Sequence, residues 1–380
     1  MPDHPFTIGI EEEYLLVDAE TLDLSEAPES MMRACREALG DQVAPEFLRC
    51  QIEVGTKVCR NVAEARIDLV RLRREISRIA AEHGLAPIAA ACHPTAEWSQ
   101  QTHRDRDRYN ALHEDLAAVG ERMLICGMHV HVGIPDEDMR IDLMNQASYF
   151  LPHLLALSTS SPFWRGKDTG LASYRIGIFD NLPRTGLPPH LDSWAAYRRA
   201  VDTIVATGMI EDASKIWWDL RPSDAYPTLE TRICDVCPRL DHTLALAATV
   251  QSVLRMLWRL RGRNQRWRIY ETFLVAENRW RAQRYGISEG LIDLGRGEVV
   301  PFTDLIGELA ALVSEDAQAL DCAGCLDTLR EMGRESSAQR QRRIFAEAIE
   351  TGADETEAFR RVTASLVDEF TMDLPRNDTA

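Results

Sequence analysis

The spacing of apolar residues predicts one long helix early in the chain. Residues 61–83 repeat apolar side chains every three or four positions, which is the period of one helix face. The members of this stripe are Ala65, Leu69, Leu72, Ile76 and Ile79. Asn61 followed by Glu64 forms a capping-box-like start, and Gly84 is the residue type that ends a helix. We therefore expect a helix with one buried face across this segment.

Shorter apolar stretches, several of them with alternating polar positions, predict the strands. They are TIGIEEEYLLVD (7–18), QIEVGT (51–56), LAPIAAAC (85–92), MLICGMHVHVGI (123–134), KIWWDLRPS (215–223) and TLETRICDV (228–236). The turn-forming sequence DAYP joins the last two stretches, which favours two successive strands there.

The remaining segments are predicted to be mainly helical, with one long loop. Further helices are expected after Arg108, over 137–160 with a bend near Pro152, over 193–207, and from Asp241 onward with an interruption around 286–301. Residues 161–189 hold glycines, prolines and arginines without sustained periodicity, which predicts a long functional loop.

These elements predict the α+β class, with helices packed on one face of an antiparallel sheet. No repeat, linker or low-complexity tract divides the 380 residues. We therefore expect a single catalytic domain over residues 1–380. Residues 1–240 would form its mixed strand and helix core, and residues 241–380 would add a mainly helical part to the same domain.

Composition and charge narrow the classes of partner. The formal net charge of −17 argues against nucleic acid, which normally meets a basic patch. The chain begins without a charged-then-apolar leader, and the apolar run LALAATVQSVLRMLW (244–258) is too short to span a bilayer. The expectation is a soluble, cytoplasmic protein that binds neither nucleic acid nor membrane.

The nine cysteines include two CxxC pairs, Cys234 with Cys237 and Cys322 with Cys325. Paired CxxC motifs hold zinc in some proteins, but these two pairs lie much further apart than in a zinc ribbon. Cys234 also lies within a strand pattern rather than on a turn. Buried, reduced thiols are the favoured interpretation, and a shared zinc is the alternative.

Several predicted strands carry charged residues that share a face, because residues two apart in a strand point the same way. The pairs are Glu11 with Glu13, His129 with His131, and Glu230 with Arg232, and Glu53 is a further acid in an apolar strand. Glu12 must then face the opposite side, where an arginine of the covering helices or solvent would meet it. Taken singly, these pairs are also typical of solvated outer faces or same-face ion pairs.

Carboxylates that converge on one sheet face repel each other unless a cation compensates them. An oxygen-rich site with an imidazole suits Mg²⁺ or Mn²⁺. The sequence has no GxxxxGK[ST], GxGxxG or GxSxG motif, so a nucleotide would be held through metal ions and arginines. The available arginines are Arg165, Arg175, Arg184, Arg221 and Arg232, for each of which a surface ion pair is the alternative.

The ordered motifs resemble those of the YbdK-like carboxylate–amine ligases, also called glutamate–cysteine ligase type 2, in the glutamine synthetase-like superfamily. The motifs are GIEEEYLLVD, EVGT, HP and W before RY, GMHVHVG, SPFWRG with SYR and PRTGLP, WWDLRPS with LETRICDV, and ENRWRA. They run from about residue 6 to residue 285. The resemblance implies a glutamine synthetase-like catalytic domain whose antiparallel sheet carries the active site.

The same resemblance implies ATP-dependent amide formation through an acyl phosphate, commonly on the side-chain carboxylate of glutamate. It implies metal ligands at Glu11, Glu13, Glu53, His129 and Glu230. Arg232 matches an arginine that steadies the transferring phosphoryl group. His131, Arg165, Arg175 and Arg184 are the further candidates for binding substrate or ATP.

The implied partners are Mg²⁺ or Mn²⁺, ATP, a small carboxylate such as glutamate and an amine, and the implied assembly is a homodimer. The sequence leaves the physiological amine open. A phosphagen-type kinase, a metal-dependent hydrolase and a non-catalytic binding protein are the alternative functions.

Overall fold

The computed structural model describes residues 4–104 and 117–375, apart from the side chains at positions 118, 119 and 121. The helix expected after Arg108 and the RY pair of the family motif lie outside the described residues. No helix in the described ranges combines the length and apolarity needed to cross a bilayer.

The strands, in chain order, are short except for the first. They are β1 (Ile8–Asp18), β2 (Val43–Pro45), β3 (Gln51–Gly55), β4 (Leu85–Ile88), β5 (Met128–Gly133), β6 (Phe163–Trp164), β7 (Lys167–Asp168), β8 (Thr185–Gly186), β9 (Trp217–Trp218), β10 (Leu220–Pro222), β11 (Thr228–Thr231), β12 (Leu291–Asp293) and β13 (Glu298–Val300).

Helices dominate the C-terminal third as predicted, but the helix over Glu29–Leu39 was not predicted from the sequence. They are α1 (Glu29–Leu39), α2 (Val62–Ala81), α3 (Glu137–Ala147), α4 (Leu151–Ser158), α5 (Tyr174–Phe179), α6 (Trp194–Ala206), α7 (Leu240–Gly262), α8 (Thr272–Tyr285), α9 (Phe302–Leu312), α10 (Ser314–Ala319), α11 (Cys325–Met332), α12 (Ser337–Glu350) and α13 (Glu355–Met372).

The main sheet has seven antiparallel strands within the described ranges. Their order is β10-β11-β5-β1-β3-β2, and β4 pairs with the C-terminal half of β1. Helices α2, α7 and α13 pack against this sheet. β6 and β7 form a separate antiparallel pair, β8 and β9 a parallel one, and β12 and β13 a hairpin. The α+β prediction, with an antiparallel sheet covered by helices, is confirmed.

The early helix forms as its apolar period predicts. α2 begins after Asn61, whose side chain accepts the backbone N–H of Glu64, and its apolar stripe is fully buried. The Glu64 carboxylate accepts the N–H of Arg60 rather than that of Asn61, so the capping box is incomplete. Gly84 has a φ of +71°, the left-handed conformation in which glycine reverses the chain after a helix.

Two local predictions differ from the structure. The helix predicted over 137–160 is interrupted by a 3₁₀ turn over Ser148–Phe150, and Pro152 sits in the first turn of α4, where its missing N–H breaks no helical hydrogen bond. The segment 161–189 is not wholly a loop, because it contains α5. This helix has six residues, too few to repeat an apolar period in the sequence.

Glu12 occupies the helix-covered face of β1, opposite to its two neighbours. Its side chain and that of Arg73 from α2 are both fully buried and form an ion pair, with Arg73 Nε donating to Glu12 Oε2 at 3.0 Å. Thr243 of α7 donates its hydroxyl to Glu12 Oε1 at 2.6 Å. Burial alone would lower the pKa of Arg73, but the Glu12 carboxylate raises it. The predicted arginine partner for Glu12 is confirmed.

The thiols are buried as the favoured interpretation required. Eight of the nine cysteines are buried and Cys325 is half-buried. Burial raises the pKa of Cys234 to about 12 and that of Cys322 to about 11, so both thiols stay protonated at neutral pH.

Candidate active site

The registers of four adjacent strands gather the predicted acids and imidazoles on the face of the sheet opposite to Glu12. The pairs directly across from each other are Glu11 and His129, Glu13 and Glu53, and His131 and Glu230. We call this surface, formed by Glu11, Glu13, Glu46, Glu53, His129, His131, Glu230, Arg221 and Arg232, the acidic face. It is the outcome of two-residue alternation along each strand combined with antiparallel pairing.

One group of ligand atoms on the acidic face involves Glu11, His131 and Glu230. One side-chain ligand atom from each lies within 4.8 Å of the others. His129 Nδ1 lies 3.0 Å from Glu11 Oε2, and His131 Nε2 lies 3.4 Å from Glu11 Oε1. His131 Nε2 is buried and has no hydrogen-bond partner among the described residues. Such an orphaned nitrogen beside two carboxylates is the kind of donor that a metal ion takes up.

A second group consists of Glu13, Glu46 and Glu53, again with one oxygen from each within 4.8 Å of the others. Glu13 Oε2 accepts the backbone N–H of Gly127 at 2.6 Å. His129 Nε2 lies 3.9 Å from Glu13 Oε1, so this ring stands between the two groups. The predicted ligand set is therefore divided into two neighbouring clusters.

The second group is short of positive charge. Burial and the negative charge of Glu46 raise the pKa of Glu13 to about 7. Burial, Glu46 and Glu11 together raise the pKa of Glu53 well above its ordinary value. Two neighbouring carboxyl groups with raised pKa values are typical of a site that binds a cation.

The half-buried Glu11 and the buried Glu230 are both charged. Burial raises the pKa of Glu11, but the His129 and His131 rings beside this carboxyl outweigh burial and hold its pKa below the usual range. Burial likewise acts on Glu230, and the charges of Arg232 and Arg221 overcome it and lower the pKa of this carboxyl.

The two arginines at Glu230 come from different strands. Arg221 of β10 donates through Nε to Glu230 Oε2 at 2.9 Å, and Arg232, just after β11, pairs with Glu230 Oε1. Burial and the positive charge of Arg232 lower the pKa of His129 to about 4. The His129 ring is therefore neutral at pH 7, the state in which an imidazole binds a metal.

Among the three loop arginines, Arg175 comes next to the acidic face. Its side chain is 2% exposed and donates to the carbonyls of Arg232 at 3.2 Å and Ile233 at 3.4 Å. The guanidinium lies directly against Gly127, where an added Cβ would come within 2.3 Å of Nη2. Arg175 thus holds the backbone at Arg232 and Ile233 and lies against Gly127, whose N–H binds Glu13.

Arg165 and Arg184 make their described contacts elsewhere. Arg165 pairs with Glu97 at 2.6 Å and lines a cavity of about 440 Å³ together with Trp98, Arg122, Trp164, Tyr174 and Asn181, which we call the aromatic cavity. Arg184 donates to the carbonyl of Lys215 at 2.8 Å and lies over the Trp217 ring. Within the described ranges, neither guanidinium contacts a carboxylate of the acidic face.

A second cavity opens at the end of the acidic face where β1 begins. Its volume is about 540 Å³, and Glu11, Glu53 and His131 lie on its inner wall. Gly9, Gly55 and Gly133, from three adjacent strands, form its floor, so we call it the glycine cavity. A Cβ at Gly133 would collide with the Thr7 hydroxyl, whereas Gly9 and Gly55 leave the strand backbone open to a ligand beside the carboxylates.

The motif order and this geometry agree with one family of known proteins. Residues 7–365 match the model of glutamate–cysteine ligase family 2. The chain belongs to this family. A "Putative glutamate--cysteine ligase 2" of Paracoccus denitrificans is 60% identical over 376 residues, covering 98% of this chain and 100% of that protein. The protein of the same name in Jannaschia sp. is 59% identical over 372 residues, covering 98% of each chain.

Two solved structures share the fold of this family member. A glutamate–cysteine ligase of Francisella tularensis in complex with AMP superposes with a TM-score of 0.68 at 12% identity, covering 97% of this chain and 90% of that one. A bifunctional glutathione synthetase of Pasteurella multocida gives 0.67 at 17% identity, covering 96% of this chain and 53% of that one. The predicted fold and the family resemblance are both confirmed.

Glu46 is the acidic-face residue that sequence reasoning missed in this glutamate–cysteine ligase family 2 chain. Its signal was weak because it follows β2, a strand of three residues that ends in proline. Ala44 pairs with Glu53 across the β2–β3 hairpin, and Glu46 follows two residues later on the same face. Treating VAPEFLRCQIEVG as a hairpin would have found it.

Proposed function

We propose that the chain is an ATP-dependent carboxylate–amine ligase that activates glutamate as an acyl phosphate and joins it to an amine. The observation that carries the proposal is the acidic face, where two clusters of carboxylates meet a neutral imidazole and two arginines. Phosphoryl transfer needs this combination, because its transition state is stabilised by cations around the phosphoryl oxygens. The names of the relatives support glutamate as the carboxylate.

The glycine cavity is the proposed nucleotide site. Its volume suits a nucleotide, and its glycine floor leads to Glu11, Glu53 and His131. The AMP bound in the Francisella relative supports a nucleotide on this fold. ATP lying in this cavity would direct its phosphates toward the acidic face.

The residues of the acidic face fit one or two divalent cations. Glu11, His131 and Glu230 would hold one ion, and Glu13, Glu46 and Glu53 the other, with His129 between them. Bound Mg²⁺ or Mn²⁺ would neutralise charge on the phosphate oxygens. The raised pKa values of Glu13 and Glu53 and the orphaned His131 Nε2 support this fit.

The protein's own residues then perform two tasks in a two-step reaction. The substrate carboxylate oxygen attacks the γ-phosphorus of ATP, and the bond from that phosphorus to ADP breaks. The amine nitrogen next attacks the acyl carbon, phosphate leaves with the bonding electron pair, and the nitrogen loses a proton. Arg232 and Arg221 lie beside Glu230 to stabilise the phosphoryl charge, and the carboxylates of the acidic face would hold the cations that offset it.

The direct test measures ADP release and identifies the product by mass spectrometry, with ATP, glutamate and a panel of amines. An amide product whose formation requires ATP supports the proposal. If no carboxylate or amine stimulates ADP release, and Glu230→Ala binds ATP as the wild type does, the proposal fails. A stable phosphorylated product without an amide would indicate a phosphagen-type kinase, and turnover without nucleotide a hydrolase.

The homodimer implied by the family resemblance is also a proposal. Light scattering coupled to gel filtration measures it directly, and a monomer mass at micromolar concentration would contradict it.

A further inference from the structure

The aromatic cavity is separate from the glycine cavity and has a different chemical character. Trp98, Trp164 and Tyr174 supply aromatic walls, and the Trp164 and Tyr174 ring centroids lie 5.2 Å apart. Arg122 lies over the Trp98 ring, 5.9 Å from its centroid, and Arg165 pairs with Glu97 at 2.6 Å. The cavity therefore has two guanidinium groups, and Glu97 is the carboxylate that the structure describes beside them. This local excess of positive charge contrasts with the net charge of −17 of the whole protein.

Helix α5 connects this cavity to the acidic face. Four lining residues are spaced three or four positions apart, as on one face of a helix. They are Tyr174, Gly177, Ile178 and Asn181, of which Asn181 lies just beyond the end of α5. Arg175 follows Tyr174 and points to the other side, where its guanidinium lies against Gly127. The N–H of Gly127 binds Glu13. Consecutive residues of α5 therefore link the aromatic cavity, through Tyr174, to the backbone that holds Glu13, through Arg175. The glycine cavity lies at the end of the acidic face where β1 begins.

The lining selects for two chemical groups. Arginine side chains in a partly enclosed site bind carboxylates through paired N–H donors. Aromatic walls favour a flat ring, which stacks on indole and phenol faces. A volume of about 440 Å³ accommodates both groups in one small molecule. Glutamate offers carboxylates but no ring, so the walls do not match it.

We propose that the aromatic cavity binds the amine substrate, and that this substrate is a primary amine carrying a carboxylate and an aromatic ring. The inference rests on the proposed ligase function. The carboxylate pairs with Arg122 and Arg165 and the ring lies among Trp98, Trp164 and Tyr174. The amine nitrogen attacks the acyl carbon, the C–O bond to phosphate breaks, phosphate carries away the electron pair, and the nitrogen loses one proton to solvent.

The test compares amines that differ by one feature each. Phenylalanine carries both the ring and the carboxylate, alanine lacks the ring, and phenylalanine amide lacks the carboxylate. Hydroxylamine, which needs no pocket, traps the acyl phosphate as a coloured hydroxamate. We expect kcat/KM for phenylalanine to exceed that for alanine and for phenylalanine amide at least tenfold. Equal use of the three amines would overturn the inference.

Variants of two lining residues, the half-buried Trp98 and the exposed Arg122, give the second measurement. Trp98→Ala and Arg122→Ala are expected to lower the ratio of kcat/KM for phenylalanine to that for hydroxylamine at least tenfold. The matched controls, Trp280→Ala and Arg36→Ala, replace exposed residues on α8 and α1 and should leave the ratio unchanged. An unchanged ratio in the lining variants would overturn the inference.

Different results would contradict the ligase function and the role of the aromatic cavity as the amine site. A wild-type enzyme that forms no hydroxamate from glutamate, ATP and hydroxylamine removes the ligase function and this inference with it. Hydroxamate formation without any preference among the three amines leaves the ligase function in place and removes the aromatic cavity as the amine site. Binding of 3-phenylpropionate, measured by calorimetry and weakened in Arg122→Ala, supports the site without requiring turnover.

Discussion

Glu11, Glu12 and Glu13 are adjacent in the chain but lie in two different electrostatic environments. Glu11 and Glu13 belong to the acidic face, and Glu12 forms a fully buried ion pair with Arg73. A carboxylate that binds a metal and one that neutralises a buried guanidinium should respond differently to the loss of charge. Single glutamine substitutions separate these two roles with little change in size.

We expect Glu11→Gln and Glu13→Gln to lower kcat by about 100-fold or more, because each removes a carboxylate ligand of the proposed divalent cations that neutralise the phosphate oxygens. Their stability should change little. Glu12→Gln should instead lower the free energy of unfolding by about 3–5 kcal/mol, because Arg73 would lose its buried counter-charge. ADP release and urea denaturation measure the two effects. Glu20→Gln, at an exposed turn position, serves as the control.

Removal of divalent cations should abolish turnover. The acidic face has no described cation besides its arginines to balance Glu13, Glu46 and Glu53. We expect excess EDTA to stop ADP release, and either Mg²⁺ or Mn²⁺ to restore it, because both accept carboxylate oxygens in an octahedral shell. Turnover that continues in EDTA would contradict the metal assignment.

His93, from the HP motif, predicts a specific loss of stability in acid. Its Nε2 faces the carbonyl of Leu22 at 3.1 Å and must carry the proton, while Nδ1 accepts the N–H groups of Thr95 at 3.3 Å and Ala96 at 3.1 Å. Burial lowers its pKa from 6.5 to about 4. The unfolded chain therefore binds this proton first, and stability present above pH 6.5 is lost as the pH falls toward 4.

The contribution of His93 over this window is about 3 kcal/mol, from 1.36 kcal/mol per pKa unit. His93→Asn keeps an acceptor near the position of Nδ1 and removes the titration. Urea denaturation between pH 6.5 and pH 4 should show a smaller decline for this variant than for the wild type. Parallel declines would show that His93 does not carry the effect.

Sequence reasoning succeeded at the residue scale where strand alternation alone was enough. The shared face of Glu11 and Glu13, and the opposite position of Glu12, follow from the two-residue period. That Arg73 is the partner of Glu12 depends on how α2 crosses the sheet, which a pattern along one element does not contain. The contact between Arg175 and Gly127 likewise depends on how α5 packs in the tertiary structure.

At the scale of elements, α5 is a short helix whose buried arginine supports two groups of the acidic face. Arg175 binds the carbonyl of Arg232 and lies against Gly127, whose N–H binds Glu13. A methyl group at position 127 would displace the guanidinium, because Cβ would lie 2.3 Å from Nη2. We expect Gly127→Ala to lower kcat about 10- to 100-fold through small displacements of Glu13 and Arg232. Steady-state kinetics of purified, folded protein measures this effect.

A matched glycine provides the control. Gly307 lies inside α9, and a Cβ there would meet nothing within 4 Å. Gly307→Ala should therefore leave kcat unchanged and stabilise the fold by roughly 0.5–1 kcal/mol, because alanine favours a helix interior. Equal kcat values for the two variants would argue against a positioning role for Gly127 and Arg175.

Predictability also differed among elements according to their length. α2 has 20 residues and several turns of apolar repeat, so its pattern was unambiguous. α5 and the paired strands β6 to β9 have between two and six residues, and their backbone conformation depends on neighbours distant in sequence. β8 is an example, since it pairs with β9 more than 30 residues later in the chain.

At the scale of the whole molecule, the C-terminal helix contacts the first strand. Phe370 of α13 is fully buried, packs edge-to-face on Tyr14 at 4.8 Å, and lies 4.9 Å from the Arg73 guanidinium. These contacts favour the proposed single domain over residues 1–380, because the helical part completes the core under β1. We expect one cooperative unfolding transition. Phe370→Ala should lower the free energy of unfolding by about 3–5 kcal/mol.

Two probes test this cooperativity. Tryptophan fluorescence and far-ultraviolet circular dichroism should follow the same urea midpoint in the wild type and shift together in Phe370→Ala. The exposed Phe273→Ala is the control and should leave the midpoint unchanged. Separate transitions would contradict a single domain.

The ion pair of Glu12 and Arg73 also disfavours one incorrect strand register, which the charges of the acidic face would tolerate. If β1 slipped by two residues along β5, Glu13 would oppose His129 and Glu11 would oppose His131, so the acidic face would keep glutamates opposite its histidines. The same slip would carry Glu12 about 7 Å from Arg73 and leave a buried guanidinium without its counter-ion. The unpaired, buried Arg73 would raise the free energy of the chain with the shifted register. That state would therefore not persist as a kinetic trap.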